Sequence, residues 1–277
     1  MSWRLTTLNH AIAPGPVEAR GLVQALFDTD NTTDAARLQI WAGTASLHLA
    51  DLVAISETAG PHDTIEFEGD FSLWNGLGFG LSHGKMIVHG DTGARTGGEL
   101  SGGSIEIHGH CGPWAAVSAR SGRMMIHGNA GDWLAANWPG ETKGLSGAEI
   151  IVQGHAGDHA GSRMRRGLIA IGGDTGIGLG RSMIAGSIFV AGTAKGPVGL
   201  GMKRGSIVFQ GPPNHPQLLS TSFKTGGEFR PLTLNMQLKY LHEIGWQKAP
   251  NLLSLKSCER YSGDLLALGL GEVLALA

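Results

Sequence analysis

Cysteine is nearly missing from this chain. Only Cys111 and Cys258 occur in 277 residues. They form neither a CxxC metal pair nor a disulfide framework, so a reduced, cytoplasmic setting is expected. The start, MSWRLTTLNH, lacks the basic head and apolar core of a signal peptide. No apolar run approaches the ~18 residues of a membrane helix, so no span is expected. Motifs of chemistry are scarce too. No G-x-S-x-G, H-E-x-x-H or Cys/His pair appears in a sensible context. GGDTGIGLG (172–180) is not G-x-G-x-x-G, and no βαβ pattern surrounds it. Catalysis from within this chain has no visible constellation, and no catalytic or metal-binding residue is assigned.

Glycine is what the chain has in excess, at 45 residues. No G-x-y period accompanies it, which excludes collagen. Apolar residues make up 42 %, which argues against glycine-rich disorder. The glycines recur. Those that close successive apolar segments are Gly69, Gly90, Gly109, Gly128, Gly154, Gly173, Gly192 and Gly211, in steps of 21, 19, 19, 26, 19, 19 and 19. A 19-residue period is too short for a helix pair or a propeller blade. It predicts an all-β fold: a right-handed parallel β-helix of about seven to eight coils, with ~19-residue repeats stacked ~4.8 Å apart. Residues 61–211 would form this repeat domain. Residues 1–60 would be an N-terminal cap, with a strand at 37–43 and a short helix at 48–56. Residues 212–277 would be a C-terminal extension, opening with PPNHP and carrying a helix at 234–245. It would pack on the rod or on a partner, since exposed strand edges must be covered. The 26-residue step places a seven-residue insertion in DWLAANWPGETKG (132–144), where Trp133 and Trp138 are too apolar for a purely solvated loop.

Strand alternation sorts the side chains into columns. Met86, Ile105, Met124, Ile150, Ile169, Ile188 and Ile207 form one inward column, and Val88, Ile107, Ile126, Val152, Ile171, Val190 and Phe209 the other. His89, His108 and His127 must then point outward. Parallel imidazoles on successive strands do not converge on one ion, and their column continues as Gln153 and Gln210. A surface or interface ladder is therefore expected rather than a metal site. A second outward column is apolar where water would favour polar residues: Ile87, Met125, Ile151, Phe189 and Val208, interrupted by Glu106. With Trp133 and Trp138 these are the candidate interface residues. Either the chain's own C-terminal segment or another protein of an assembly would cover the stripe.

Charge is divided along the chain. Residues 1–159 hold 8 Lys/Arg and 17 Asp/Glu, whereas residues 160–260 hold 13 and 4. In the basic half, Arg165 and Lys203 occupy equivalent repeat positions, as do Arg166 and Arg204. Such a column can follow an extended polyanion. No aromatic residues interleave with it, so nucleic acid is not the expected ligand.

The repeats GKMIVHGDTGARTGGELSGG, GAEIIVQGHAGDHAGSRMRRG and GSIFVAGTAKGPVGLGMKRG resemble the glycine-rich repeat shared by the C subunit of formylmethanofuran dehydrogenase and the C-terminal domain of glutamate synthase large chains. The tail ERYSGDLLALGLGEVLAL, with its Tyr-x-x-Asp before Gly-x-Gly-Glu, resembles the end of that dehydrogenase component. Within its family the chain is most similar to the corresponding component of the bacterial formyltransferase/hydrolase complex. The resemblance implies a non-catalytic scaffold. Its partners would be a formyltransferase subunit, a zinc amidohydrolase-like subunit and a dehydrogenase-B-like subunit. The complex would turn formyl-tetrahydromethanopterin into formate through a methanofuran-type carrier. Metals would lie in other subunits, and this chain would bind no cofactor of its own. The carrier's anionic glutamate tail makes Arg165, Arg166, Lys203 and Arg204 candidate contacts. Two alternatives share the repeat: the equivalent component of a tungsten or molybdenum formylmethanofuran dehydrogenase, and a stand-alone glutamate-synthase-like scaffold.

Overall fold

The computed structural model describes residues 2–8, 13–58, 63–211, 219–229, 232–249 and 257–276. The expected boundaries at 60/61 and 211/212 and the PPNHP segment adjoin or fall in residues outside this set. The N-terminal part contains β1 (Ser2–Thr7), β2 (Val17–Glu18), α1 (Leu22–Phe27), α2 (Thr32–Ala36), β3 (Gln39–Ala42), β4 (Ala45–His48) and β5 (Val53–Glu57). The repeats contribute β6 (Thr64–Glu68), β7 (Trp74–Asn75), β8 (Lys85–His89), β9 (Ser104–Ile107) and β10 (Arg123–Ile126). They continue with β11 (Ser146–Val152), β12 (Arg166–Ile171), β13 (Ser187–Val190) and β14 (Arg204–Phe209). Then come β15 (Lys224–Phe229), α3 (Leu232–Glu243), β16 (Cys258–Gly263) and β17 (Leu270–Leu276).

The chain is mostly β, with few helices. One large mixed sheet has thirteen strands in the order β15-β16-β17-β14-β13-β12-β11-β10-β9-β8-β6-β1-β5. From β1 to β17 neighbouring strands run parallel. The two ends close with antiparallel partners, β5 on one side and β16–β15 on the other. Both terminal segments thus extend the ladder itself. A small sheet, β4-β3-β2-β7, flanks the first repeat.

The register follows the sequence columns. Met86 pairs with Ile105, Ile105 with Met124, and Met124 with Ile150. All fourteen inward side chains are buried, none more than 3 % exposed. Parallel ladders of Val and Ile buried in this way supply most of the core. A second ladder of single bridges links Phe71, Thr92, Cys111, Ala130, Ala156, Thr175 and Ala194. A third is made by turns. Trp114 N donates to Asp132 O, Ala116 N back to Thr96 O, and Ser118 N forward to Ala136 O. These alternate residues have φ of 64°, 52° and 52°. In this left-handed conformation their N–H groups bond alternately to the repeat ahead and the repeat behind. For non-glycine residues it costs about 1 kcal/mol or more each.

Close approach requires glycine at most of the closing positions, Gly128 among them. A Cβ at Gly128 would lie 2.5 Å from Gly109 O and 2.8 Å from Gly109 C. Each turn is also tied to the next. Asp91 Oδ1 accepts from His110 N, His110 Nδ1 from Asn129 N, and Asn129 Oδ1 from His155 N. His155 Nδ1 then accepts from Asp174 N, and Asp174 Oδ1 from Thr193 N. Asp91 and Asp174 thus bond to the following repeat.

The helix expected at 48–56 is corrected. Only Leu49–Asp51 forms a single 3-10 turn, and Val53–Glu57 is a strand paired with β1. Val53 and Ile55 are β-branched and alternate, which favours a strand. The helix expected at 234–245 is present as Leu232–Glu243. Two short helices were not anticipated. The second, α2, is capped by Asn31, whose Oδ1 accepts from Asp34 N at 2.9 Å.

Candidate functional site

Three surfaces could serve function. The first is the histidine column at the C-terminal ends of β8, β9 and β10. His89, His108 and His127 stack with centroids 4.8 Å apart and ring planes 17° and 8° from parallel. That spacing is the strand spacing, as the columns predict. Glu106 joins them: its Oε1 accepts from His127 Nε2 at 3.2 Å and lies 3.6 Å from His108 Nε2. The sequence columns, taken separately, do not show this neighbour. Residues i and i+2 of a strand share a face, so Glu106 and His108 are adjacent on it. One ligand atom from each of Glu106, His108 and His127 lies within 4.8 Å of the others. Parallel rings do not converge their nitrogens to the ~2.0–2.1 Å a zinc site needs. The other Glu106 oxygen is already engaged by Lys85 Nζ at 3.0 Å. The arrangement is a hydrogen-bonded ladder.

Its titration has a definite sign. Burial holds the His108 pKa below its ordinary 6.5; Glu106 opposes this, while His127, His89 and Lys85 repel a second positive charge. The Glu106 carboxyl is pushed up by burial, but hydrogen bonds from Lys85 and His127 outweigh that and hold it low. Both groups therefore bind fewer protons folded than unfolded, and their contribution to stability falls as pH drops. For His108 the loss sets in as pH falls through 6.5. His108→Asn should flatten the fall in Tm across that range, read by thermal melts at a series of pH values. An unchanged pH profile would contradict the assignment.

The second surface is the apolar column. Ile151, Ala170, Phe189 and Val208 are buried against Leu234, Leu238, Leu241 and Trp246. Of the two covers that the sequence left open, the chain's own C-terminal segment lies over this stretch. Ile151, Phe189 and Val208 are thus unavailable to another chain. Phe189 meets Trp246 edge-on at 6.3 Å. Polar contacts fix the segment. Gln153 Nε2 donates to Gly245 O at 2.8 Å, and the Tyr240 hydroxyl donates to Glu149, which also pairs with Arg123 at 2.8 Å. Where the outward column changes from His to Gln153, Gln153 also accepts from Gln247 N, and Ala191 further along packs on the apolar cluster. Met125 is partly buried at its margin, and Ile87 is half-buried beyond it.

The third surface is basic. Arg165, Arg166, Lys203 and Arg204 are all exposed. None forms an ion pair among the described residues, whereas Arg4, Lys85, Arg95 and Arg123 in the acidic half each hold a glutamate. The insertion folds back close by. Trp133 stacks on Trp114 at 4.9 Å and on His159 at 4.3 Å, and Trp138 lies over Trp114 and donates to Glu99. The two cysteines are Cys111 and Cys258. Both are buried, and burial pushes each thiol up to about 11. None of the described helices is long and apolar enough to cross a membrane.

No family model matches the sequence. Over its whole length the chain resembles a chain in the crystal structure of the formyltransferase/hydrolase complex (FhcABCD) from Methylorubrum extorquens with methylofuran. The identity is 32 %, the TM-score 0.86, and 100 % of both chains is covered. It is also 36 % identical over 82 residues to the C subunit of molybdenum-containing formylmethanofuran dehydrogenase 1 from Methanothermobacter marburgensis, and equally to that from Methanothermobacter thermautotrophicus. The chain belongs to the family of formylmethanofuran dehydrogenase C subunits. The two matches to the archaeal dehydrogenases span 30 % of the chain and only 20 % of each relative. The likeness to the bacterial chain, by contrast, spans the full length of both chains.

Proposed function

We propose that this chain is the non-catalytic structural subunit of a formyltransferase/hydrolase complex, which moves a formyl group from tetrahydromethanopterin to a methanofuran-type carrier and releases formate. The full-length likeness to a chain of FhcABCD, a complex holding methylofuran, carries this reading. The partners would be a formyltransferase subunit, an amidohydrolase-like subunit and a dehydrogenase-B-like subunit, in the cytoplasm, with metals in those partners. The framework is inferred to be a right-handed parallel β-helix of about seven to eight coils over 61–211, flanked by segments 1–60 and 212–277. Support comes from three backbone ladders recurring at the repeat spacing. A rod of this kind offers long rigid faces on which subunits can be held at fixed separations. Ile87, Met125, Trp133 and Trp138, which α3 does not bury, remain candidate partner contacts.

Arg165, Arg166, Lys203 and Arg204 suit the carrier's anionic tail, being four exposed cations that form no ion pair among the described residues. The 82-residue match supports a second reading, the equivalent component of a redox dehydrogenase. Native mass spectrometry of the assembly purified through this chain tests both. Formyltransferase and hydrolase subunits without tungsten or molybdenum pterin are expected, and a redox-cofactor subunit would favour the second reading. Reversing the four charges should leave the subunits in place and lower carrier occupancy by at least about tenfold at moderate salt. Unchanged occupancy would remove the basic column from the proposal.

A further inference from the structure

A groove of about 400 Å³ opens on the turn ladder where the insertion folds back. It is lined by the stacked Trp114, Trp133 and His159, by Asn137 and Pro139 of the insertion, and by Ser162, Arg163, Arg181 and Ser182. Its volume falls within the ~300–1,000 Å³ of small-molecule sites. The column is costly to build. Trp114, Trp133 and His159 have φ of 64°, 61° and 60°, at positions where two other coils carry Gly76 and Gly178. Rings stand where the backbone favours glycine, at about 1 kcal/mol or more each.

The lining has a consistent chemistry. Stacked rings cover one another's faces, so the column presents ring edges. Aromatic edges carry partial positive charge and favour the π-face of another ring or an anion. Arg163 and Arg181 are exposed and make no ion pair or side-chain hydrogen bond among the described residues, and no carboxylate lines the groove. Arg163 N donates to Arg181 O at 2.8 Å, which fixes the two residues on adjacent coils. Ser162 is only 4 % exposed, and its Oγ has no hydrogen-bond partner among the described residues. Ring edges, two guanidiniums and a spare hydroxyl are complementary to a flat ring bearing an oxyanion. No helix N-terminus lines the groove to supply the convergent N–H groups typical of phosphate sites.

We propose that this groove binds an aromatic carboxylate, its ring against the Trp114–Trp133–His159 edges and its carboxylate on Arg163 and Arg181. The site is separate from Arg165, Arg166, Lys203 and Arg204 and does not depend on the carrier reading. The test uses the assembly purified through the full chain, with 4-fluorobenzoate followed by 19F NMR. Saturable binding in the millimolar range or tighter is expected, at about −4 kcal/mol or better. Arg163→Gln with Arg181→Gln should weaken it at least about tenfold while Tm stays within about 2 °C. Fluorobenzene and acetate should each compete poorly, because each supplies half of the recognised group. Three results would overturn the proposal. One is the absence of saturable binding up to about 10 mM. Another is equal loss in Lys203→Gln with Arg204→Gln, which would mark general electrostatics. The third is displacement by phenyl phosphate about tenfold more tightly than by benzoate, which would make the ligand a phosphate.

Discussion

Trp246→Ala should lower stability by about 3–5 kcal/mol, the range for a buried large aromatic. Trp246 is fully buried and sits at the end of the segment that seals Ile151, Ala170, Phe189 and Val208. Its loss removes the edge-on contact with Phe189 and loosens the cover over the apolar column. Trp246→Phe separates packing from polarity. The indole Nε1 is buried without a hydrogen-bond partner among the described residues, so the phenyl ring loses volume but also removes that donor. A cost of about 1.5 kcal/mol or less is expected for Phe. Chemical denaturation of both variants measures this, with a hydrophobic dye reporting the uncovered stripe. Equal costs for Ala and Phe would contradict the packing account.

The second large effect lies in the glycine column. Gly128→Ala places a methyl 2.5 Å from Gly109 O and 2.7 Å from His110 Nδ1. Backbone must move on the neighbouring coil, and the Nδ1 bond that accepts Asn129 N is disturbed with it. A loss of at least about 2 kcal/mol is expected. Gly211→Ala is the matched control. It belongs to the same sequence column, yet a Cβ there meets nothing within 4 Å among the described residues, so its effect should stay within about 0.5 kcal/mol. Urea midpoints for the pair distinguish crowding between coils from any intrinsic need for glycine. Similar losses at both positions would remove the crowding explanation.

These two sites show what was legible in the sequence. The glycine spacing and the fourteen alternating apolar residues point to the ladder, its register and the outward direction of His89. They can do so because strand alternation and a fixed repeat leave few arrangements that bury those residues. The same pattern marks the apolar stripe but not its cover, since helix 234–245 could equally have packed on another chain. Val53–Glu57 is misread as helix because a short apolar run carries no clear period. The Glu106 contact is hidden when columns are taken one at a time. The groove is least legible of all. It depends on Trp114 and His159 meeting Trp133 across coils, and on an insertion closing over them. No local motif records such a meeting.

The insertion has one further consequence. Gly154 N still bonds to Gly128 O at 3.1 Å, and Ala156 still bridges to Ala130, as though the extra residues were not there. Chain length at that corner is therefore uncoupled from the arrangement of the core. Residues can be added or lost between Trp138 and Gly144 at little cost to the ladders, whereas a single deletion within a strand would turn its apolar side chains to solvent. Evolution can thus alter the wall of the groove faster than the framework that carries it.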